Sequence, residues 1–146
     1  MRVSDLPFYN QDDHDLRGLA NGAEVLRTSM EMFNGIVISS PVYNSSIYWL
    51  LKNVIGCVGR YNSQPSTNNT YFFYLFHSPS LATSVNYEMY VPLDRLVARV
   101  FPEMFSLEQA YYTFNQISSI ANEQLKQQSD MTTRAFVDLT EEEKII

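Results

Sequence analysis

Two extended apolar runs, GIVISS at residues 35–40 and TYFFYLFHS at residues 70–78, flank a segment whose apolar residues recur at helical spacing. Ile47, Leu50, Leu51, Val54, Ile55 and Val58 form one stripe of an amphipathic helix. Two neighbouring strands joined through a helix run parallel, since a tight hairpin cannot connect them that way. GIVISS shows no polar alternation, which predicts a strand buried on both faces, and Pro41 is expected to stop it. The chain is thereby constrained to an α/β architecture with a parallel sheet and helices on its faces.

The flanking segments extend the alternation. In AEVLRTSMEMF, residues 23–33, Leu26, Met30 and Phe33 share a helical face, and the Asn34-Gly35 pair suits a C-terminal cap. Beyond the first strand, Ser45 or Ser46 can cap a helix that runs to about Arg60, and residues 61–70 have loop composition. After the second strand, residues 87–101 carry Leu93, Leu96, Val97 and Val100 on an amphipathic segment, with Pro92 in its first turn. A short extended piece is expected over 104–114, a helix over 115–128, and a last helical turn near the end capped by Thr140 with Glu143. At 146 residues the chain supports one domain with its own core, residues 1–146, and shows no internal repeat.

Sixteen Asp and Glu against ten Lys and Arg give a net charge of -6, and no basic run offsets it, which argues against nucleic acid as a partner. The acidic cluster QDDHD, residues 11–15, is expected to be a solvated turn after a strand rather than a hard-cation site, because its carboxylates lack a ligand spacing. Cys57 is the only cysteine, so an intramolecular disulfide and a thiolate-rich zinc site are both excluded. No apolar run approaches the roughly 20 residues of a membrane span, and MRVSDLPFYN lacks a signal-peptide core. A reducing, cytoplasmic location is the expectation, with Asn44-Ser45-Ser46 and Asn68-Asn69-Thr70 as chance glycosylation matches.

The turn between the first strand and the long helix, PVYNSS, lies where ligands bind in parallel α/β sheets, outside the carboxyl ends of the strands. Backbone amides at a helix start, a planar tyrosine and an amide side chain suit a flat, hydrogen-bonding ring or a group carrying negative charge. The same residue types also suit a packed tyrosine and an ordinary serine cap. His77, ending the aromatic strand, could face a ligand or serve structure alone, and Cys57 reads as a small buried residue.

PVYNSSIYWLLKN resembles the PxYNxSIPxxLKN signature of the NADPH-dependent FMN reductase family, flavodoxin-like enzymes that include quinone, azo-dye and chromate reductases. DLPFYNQD, residues 5–12, is similar to the family stretch after its second strand, and the resemblance covers roughly residues 5–80. It implies an NAD(P)H oxidoreductase that binds FMN and NADPH or NADH. A nicotinamide would pass hydride to flavin N5, and a small-molecule acceptor would take the electrons onward. The positions matching the flavin site are Pro41, Val42, Tyr43, Asn44, Ser45 and Ser46, with Ser78 in the loop that closes the ring's other side. Lys52 and Asn53 match LKN and read as mainly structural. A homodimer or homotetramer is implied, with catalysis resting on the cofactor and on no acid or nucleophile of the protein.

The sequence departs from the family pattern in ways that set a rival reading. The family's first strand, its GSxRxxSxN phosphate loop and its first helix have no counterpart before DLPFYN, so the chain reads as incomplete at its amino end. Tyr48 replaces the signature proline, Gly56-Cys57 replaces an Asp-Trp pair, and HSPSLATS replaces a glycine-rich loop. Arg60 and Arg95 are candidates for a nucleotide phosphate by charge alone. The rival is a flavodoxin-like remnant without catalysis, acting as an interaction module through the strand edges left open.

Overall fold

The second apolar run becomes the strand around which everything else is placed. In the computed structural model, which describes residues 6–43, 46–60, 69–77, 90–91, 93, 98–108, 113–115 and 119–142, TYFFYLFH forms one strand of a parallel sheet. In chain order the elements are α1 (Gln11–Arg17), α2 (Asn21–Glu31), β1 (Gly35–Tyr43), β2 (Ser46–Ile47), α3 (Trp49–Val58), β3 (Thr70–His77), β4 (Arg99–Val100), β5 (Phe105–Glu108) and α4 (Glu123–Glu142). β3 pairs in parallel with β1 on one side and with β4 and then β5 on the other, and β2 adds a short antiparallel piece to the far edge of β1. The α/β expectation holds.

Period-two alternation sends the side chains of β3 to opposite faces. Tyr71, Phe73 and Leu75 pack with Val42, Ile47 and Leu93, and with Met30 of α2 and Leu51 of α3 at the margin. Phe72 joins Phe101, Phe105, Leu107 and Phe136 of α4 on the other face, with Tyr74 and Phe76 beside them. Phe72 is ringed by Tyr74, Phe101 and Phe136 at centroid separations of 4.9, 5.6 and 5.3 Å, the range in which edge and tilted ring contacts are favourable. Tyr74 reaches α4 with its hydroxyl, which bonds Ser129 at 2.9 Å and also meets Thr133.

Three asparagines fix the ends of helices. Asn10 caps α1 by accepting from Asp12 N–H at 2.9 Å, and Gly18, at φ 77°, closes the helix by donating to the His14 carbonyl. QDDHD is therefore a capped helix, not a solvated turn. Asp12 and Asp13 lie in its first turn and Arg17 in its last, the arrangement its dipole favours. Buried Asn69 donates from Nδ2 to the carbonyls of Met30 and Phe33, holding the last turn of α2. α2 ends at Glu31, so the expected Asn34-Gly35 cap is corrected: the carbonyls find Asn69, and Gly35 opens β1 instead. Asn122 accepts from Gln124 and Leu125 N–H and starts α4.

That cap overturns the carboxyl-terminal expectations. The helix expected over 115–128 begins only at Glu123 and runs through to Glu142, and Ile120 forms a bridge with Phe114. Thr140, expected to cap a last turn, is a buried residue inside α4 that donates to the Val137 carbonyl at 2.9 Å. The amphipathic segment over 87–101 is described only in part; Leu93 is buried, and Arg99–Val100 is extended and paired with β3 rather than helical. The extended piece over 104–114 is present as β5. Residues 61–68, read as loop, lie outside the described residues, as does Arg95.

Pro41 does not stop β1, which continues to Tyr43. Thr70 N–H donates to the Asn34 carbonyl at 2.7 Å, so along β1 the even-numbered residues turn their backbone groups toward β3 and the odd-numbered ones away. Pro41 is odd-numbered, and its missing N–H costs no bond to β3. Nor is β1 buried on both faces: Val37 is 50% exposed and Ser39 is exposed, because α4 covers this face of β1 only near Gly35. No helix among the described residues is long and apolar enough to cross a membrane.

A Cβ on Gly35 would lie 2.8 Å from Phe136 Cζ and 3.0 Å from Thr140 Cγ2, whereas one on Gly56 in α3 meets nothing within 4 Å. Gly35→Ala is expected to lower unfolding free energy by about 1–3 kcal/mol by overpacking. Gly56→Ala should raise it by about 0.5–1 kcal/mol by restricting the unfolded chain. Urea denaturation of the two variants reads both signs. Burial pushes the Cys57 thiol above its ordinary pKa, so the thiolate fraction at neutral pH is small. Ellman's reagent should modify the native chain slowly and the urea-denatured chain at the rate of a free thiol.

Candidate functional site at the carboxyl end of the sheet

The turn after β1 is a hairpin. Val42 pairs with Ile47 and Tyr43 with Ser46, both in the antiparallel register, and the chain then enters α3 with Tyr48 as its N-cap. Ser46 therefore belongs to β2 and does not start the helix, as the sequence had suggested. The reason is hydrophobic: Val42 and Ile47 are both buried in the core shared with Tyr71 and Phe73, and pairing them fixes the hairpin. Asn44 and Ser45, between the paired residues, and Ser78, after β3, lie outside the described residues.

Of the expected site residues, the structure places Pro41, Val42, Tyr43 and Ser46 together at the end of β1. Pro41 is aligned with Phe76 of β3, so the hairpin stands beside the carboxyl end of β3 as well. Val42 points into the core and contributes only backbone to the surface, while Tyr43 is 58% exposed. Buried Ser40, just before them, donates its hydroxyl to the Pro41 carbonyl at 3.0 Å. α3 begins without a side-chain cap, leaving its first-turn amides and the positive end of its dipole beside the hairpin.

Three aromatic residues that the sequence reading did not assign to the site join Tyr43. Its ring meets Tyr48 edge-on at 5.3 Å, Tyr48 meets Trp49 at 5.5 Å, and Trp49 meets Phe8 at 5.3 Å. Trp49 is 54% and Phe8 73% exposed, so the four rings form a continuous aromatic rim at the surface. The sequence carried a signal for it: Tyr48 and Trp49 follow immediately after the turn, where the family signature has proline. Phe8 could not be placed without the tertiary contact.

That contact is held by Asn53. Its Oδ1 accepts from Tyr9 N–H and its Nδ2 donates to the Pro7 carbonyl, both at 2.9 Å, clamping the DLPFYN segment to α3. The structural reading of Asn53 is thus supported by its bonds. Lys52 is exposed on the same helix, and Arg60 lies 5.2 Å over the Tyr9 ring, away from the hairpin. His77 ends β3 in register with Glu108 of β5, on the far side of β3 from β1.

A flavin is a suitable occupant on the donor set present. The hairpin offers a flat exposed ring, main-chain groups and a positive helix end, the requirements of a planar ring that accumulates negative charge on reduction.

A curated quinone reductase of Escherichia coli (strain K12) is 33% identical over 63 residues, which are 43% of this chain and 34% of that protein, and one of Shigella flexneri matches equally. The aligned part is about a third of the length of these relatives. Among solved structures, the FerB flavoenzyme NAD(P)H:(acceptor) oxidoreductase of Paracoccus denitrificans superposes with a TM-score of 0.80 at 20% identity, covering 97% of this chain and 79% of that one. The apo form of an NADH:FMN oxidoreductase, EMOB, superposes with a TM-score of 0.64 at 18% identity, covering 93% and 70%. These two likenesses establish the flavodoxin-like fold. The family described as NADPH-dependent FMN reductase matches residues 1–111, and the chain belongs to that family.

Proposed function

We propose that this chain is an FMN-dependent NAD(P)H oxidoreductase that passes hydride from a nicotinamide to FMN and electrons onward to a small-molecule acceptor. The observation that carries the reading is the hairpin at the carboxyl end of β1, which presents Tyr43 beside the uncapped start of α3 in a member of this family. Residues 41–46 and Ser78 are the proposed flavin-binding positions. Bound FMN supplies the hydride and electron chemistry.

What the chain itself does is orient and exclude water. The buried pair Val42 and Ile47 anchors the hairpin in the core, so its backbone is held before a ligand arrives. Tyr43 offers its ring as a wall, steadied by the edge of Tyr48. The first-turn amides of α3 and its dipole favour a partner that becomes more negative on reduction. No proton needs to be moved by a side chain, in keeping with the absence of any proposed catalytic acid or nucleophile.

A cytoplasmic, single-domain protein acting as a homodimer or homotetramer completes the reading, with neither nucleic acid nor membrane as a partner. The net charge of -6, with no basic run to offset it, is consistent with the absence of a nucleic-acid partner. The exposed rim of Phe8, Trp49, Tyr48 and Tyr43 gives a planar acceptor or a second subunit a surface beside the flavin positions.

FMN titrated into the purified chain should show saturable quenching of flavin fluorescence and support NADPH oxidation above a flavin-free control. Tyr43→Ala should weaken FMN binding about tenfold, the loss of roughly one aromatic contact, while leaving the denaturation midpoint unchanged. Absence of both binding and turnover in a folded chain would overturn the assignment.

A further inference from the structure

From Met32 to Tyr87 the sequence has no Asp or Glu, although the chain carries sixteen, and its Lys and Arg in that stretch are Lys52 and Arg60 alone. The stretch builds β1, the hairpin, α3 and β3, so the charge it brings to the surface is cationic, on two exposed side chains. Carboxylates of the neighbouring helices, Asp12 excepted, are engaged on their own helix. Glu24 and Glu31 of α2 meet Arg27, and in α1 Asp13 meets Arg17 at 3.9 Å and Asp15 meets Gln11 at 2.7 Å. Lys52 has no carboxylate within ion-pair distance among the described residues. A local positive field therefore stands on α3 in a molecule of net charge -6.

Lys52 stands beside the aromatic rim. The first backbone bond of α3 runs from Lys52 N–H to the Tyr48 carbonyl at 3.1 Å, and residues three and four apart share a helix face, so Lys52 lies one turn beyond Trp49 and Tyr48. Trp49 and Phe8 are the two most open rings of the rim apart from Tyr43, with planes inclined at only 31°. Their relation is set by the two bonds of Asn53 to residues 7 and 9, so the pair is in place before a ligand arrives.

We infer, resting on the reading that the hairpin holds the flavin, that Trp49, Phe8 and Lys52 form the wall that selects the electron acceptor, favouring a planar aromatic ring with an anionic substituent over the same ring without charge. Flat apolar area stacks a planar ring and gives a compact oxyanion little. The cation with no carboxylate beside it supplies the charge preference, since an anion meets it without displacing an existing partner. A second copy docked symmetrically through this rim would bring Lys52 toward its own equivalent, which disfavours that occupant. An anionic quinone reduced here takes up two electrons and two protons: the hydride of NAD(P)H brings both electrons and one proton, and water brings the other.

Trp49 is the chain's only tryptophan, so its fluorescence reports on this wall directly. The probes are anthraquinone-2-sulfonate and anthraquinone-2-sulfonamide, which share ring and shape and differ in charge. Added to the flavin-free full chain, the sulfonate should quench Trp49 saturably and bind about threefold or more tighter than the sulfonamide, with calorimetry giving the same constants. Lys52→Gln should remove that preference and leave sulfonamide binding unchanged, while Lys52→Arg should restore it. Trp49→Leu, read by calorimetry, should weaken both probes about fivefold with an unchanged denaturation midpoint. In the FMN-loaded chain the ratio of kcat/KM for sulfonate to that for sulfonamide should fall toward one in Lys52→Gln. Equal affinity for the two probes, or calorimetric saturation with Trp49 emission unmoved, would overturn the inference. So would Trp49 emission that shifts with chain concentration and not with either probe, which would show an interface between copies. Sulfonate bound at Trp49 but not reduced by an FMN-loaded chain that oxidises NADPH would overturn the acceptor role. Because the binding arms use no flavin, their failure is separable from a failure of the chain to bind FMN.

Discussion

The parallel pairing of residues 35–41 of β1 with residues 70–76 of β3 is the constraint from which the remaining structure follows. It fixes which β3 side chains face α2 and α3 and which face α4, and a slip of one residue would exchange them. It also decides what β1 can expose. With the even-numbered residues bonded to β3, Pro41 is tolerated, the strand continues to Tyr43, and the hairpin is carried past the end of the sheet core to where a ligand can reach it. The same parity turns the backbone groups of Val37 and Ser39 away from β3, to a side on which no described residue pairs with them.

The helices are attached to this sheet by a small number of polar side chains acting over long sequence distances. Asn69, 36 residues from Phe33, holds the end of α2, and Asn53, 46 residues from Pro7, holds the segment that brings Phe8 to Trp49. Tyr74 ties the sheet to α4 through Ser129. Each such bond is worth on the order of 1 kcal/mol. Their larger effect is positional: without the Asn53 clamp the aromatic rim beside the hairpin would lose Phe8.

These long-range partners explain what the sequence could and could not show. β1, α3 and β3 were legible because a buried strand and an amphipathic helix leave a local periodic record, and their order implied a parallel sheet. The position of the hairpin that forms the candidate site was legible for the same reason, since the carboxyl end of β1 is fixed by topology. The end of β1 was misplaced because whether a proline interrupts a strand depends on which side its N–H would face, a matter of register with β3. The start of α4 was misplaced because Ile117 and Ile120 continue the helical spacing, and only the cap at Asn122 and the bridge from Ile120 to Phe114 break it. QDDHD was mistaken for a turn although Asn10 and Gly18 bracket it as caps. Of the candidate site, Tyr43 was named from its place in the motif, Tyr48 was seen only as a departure, and Trp49 and Phe8 needed the fold.

The central claim is that the hairpin after β1 holds the flavin ring. Chemical-shift mapping of FMN onto the 15N-labelled chain tests it most directly. The account predicts perturbations concentrated at Val42, Tyr43, Ser46 and the first turn of α3, with the Trp49 indole shifted by the ring current of the flavin. Perturbations clustered on another face of the molecule, with the hairpin resonances unmoved at saturation, would contradict it.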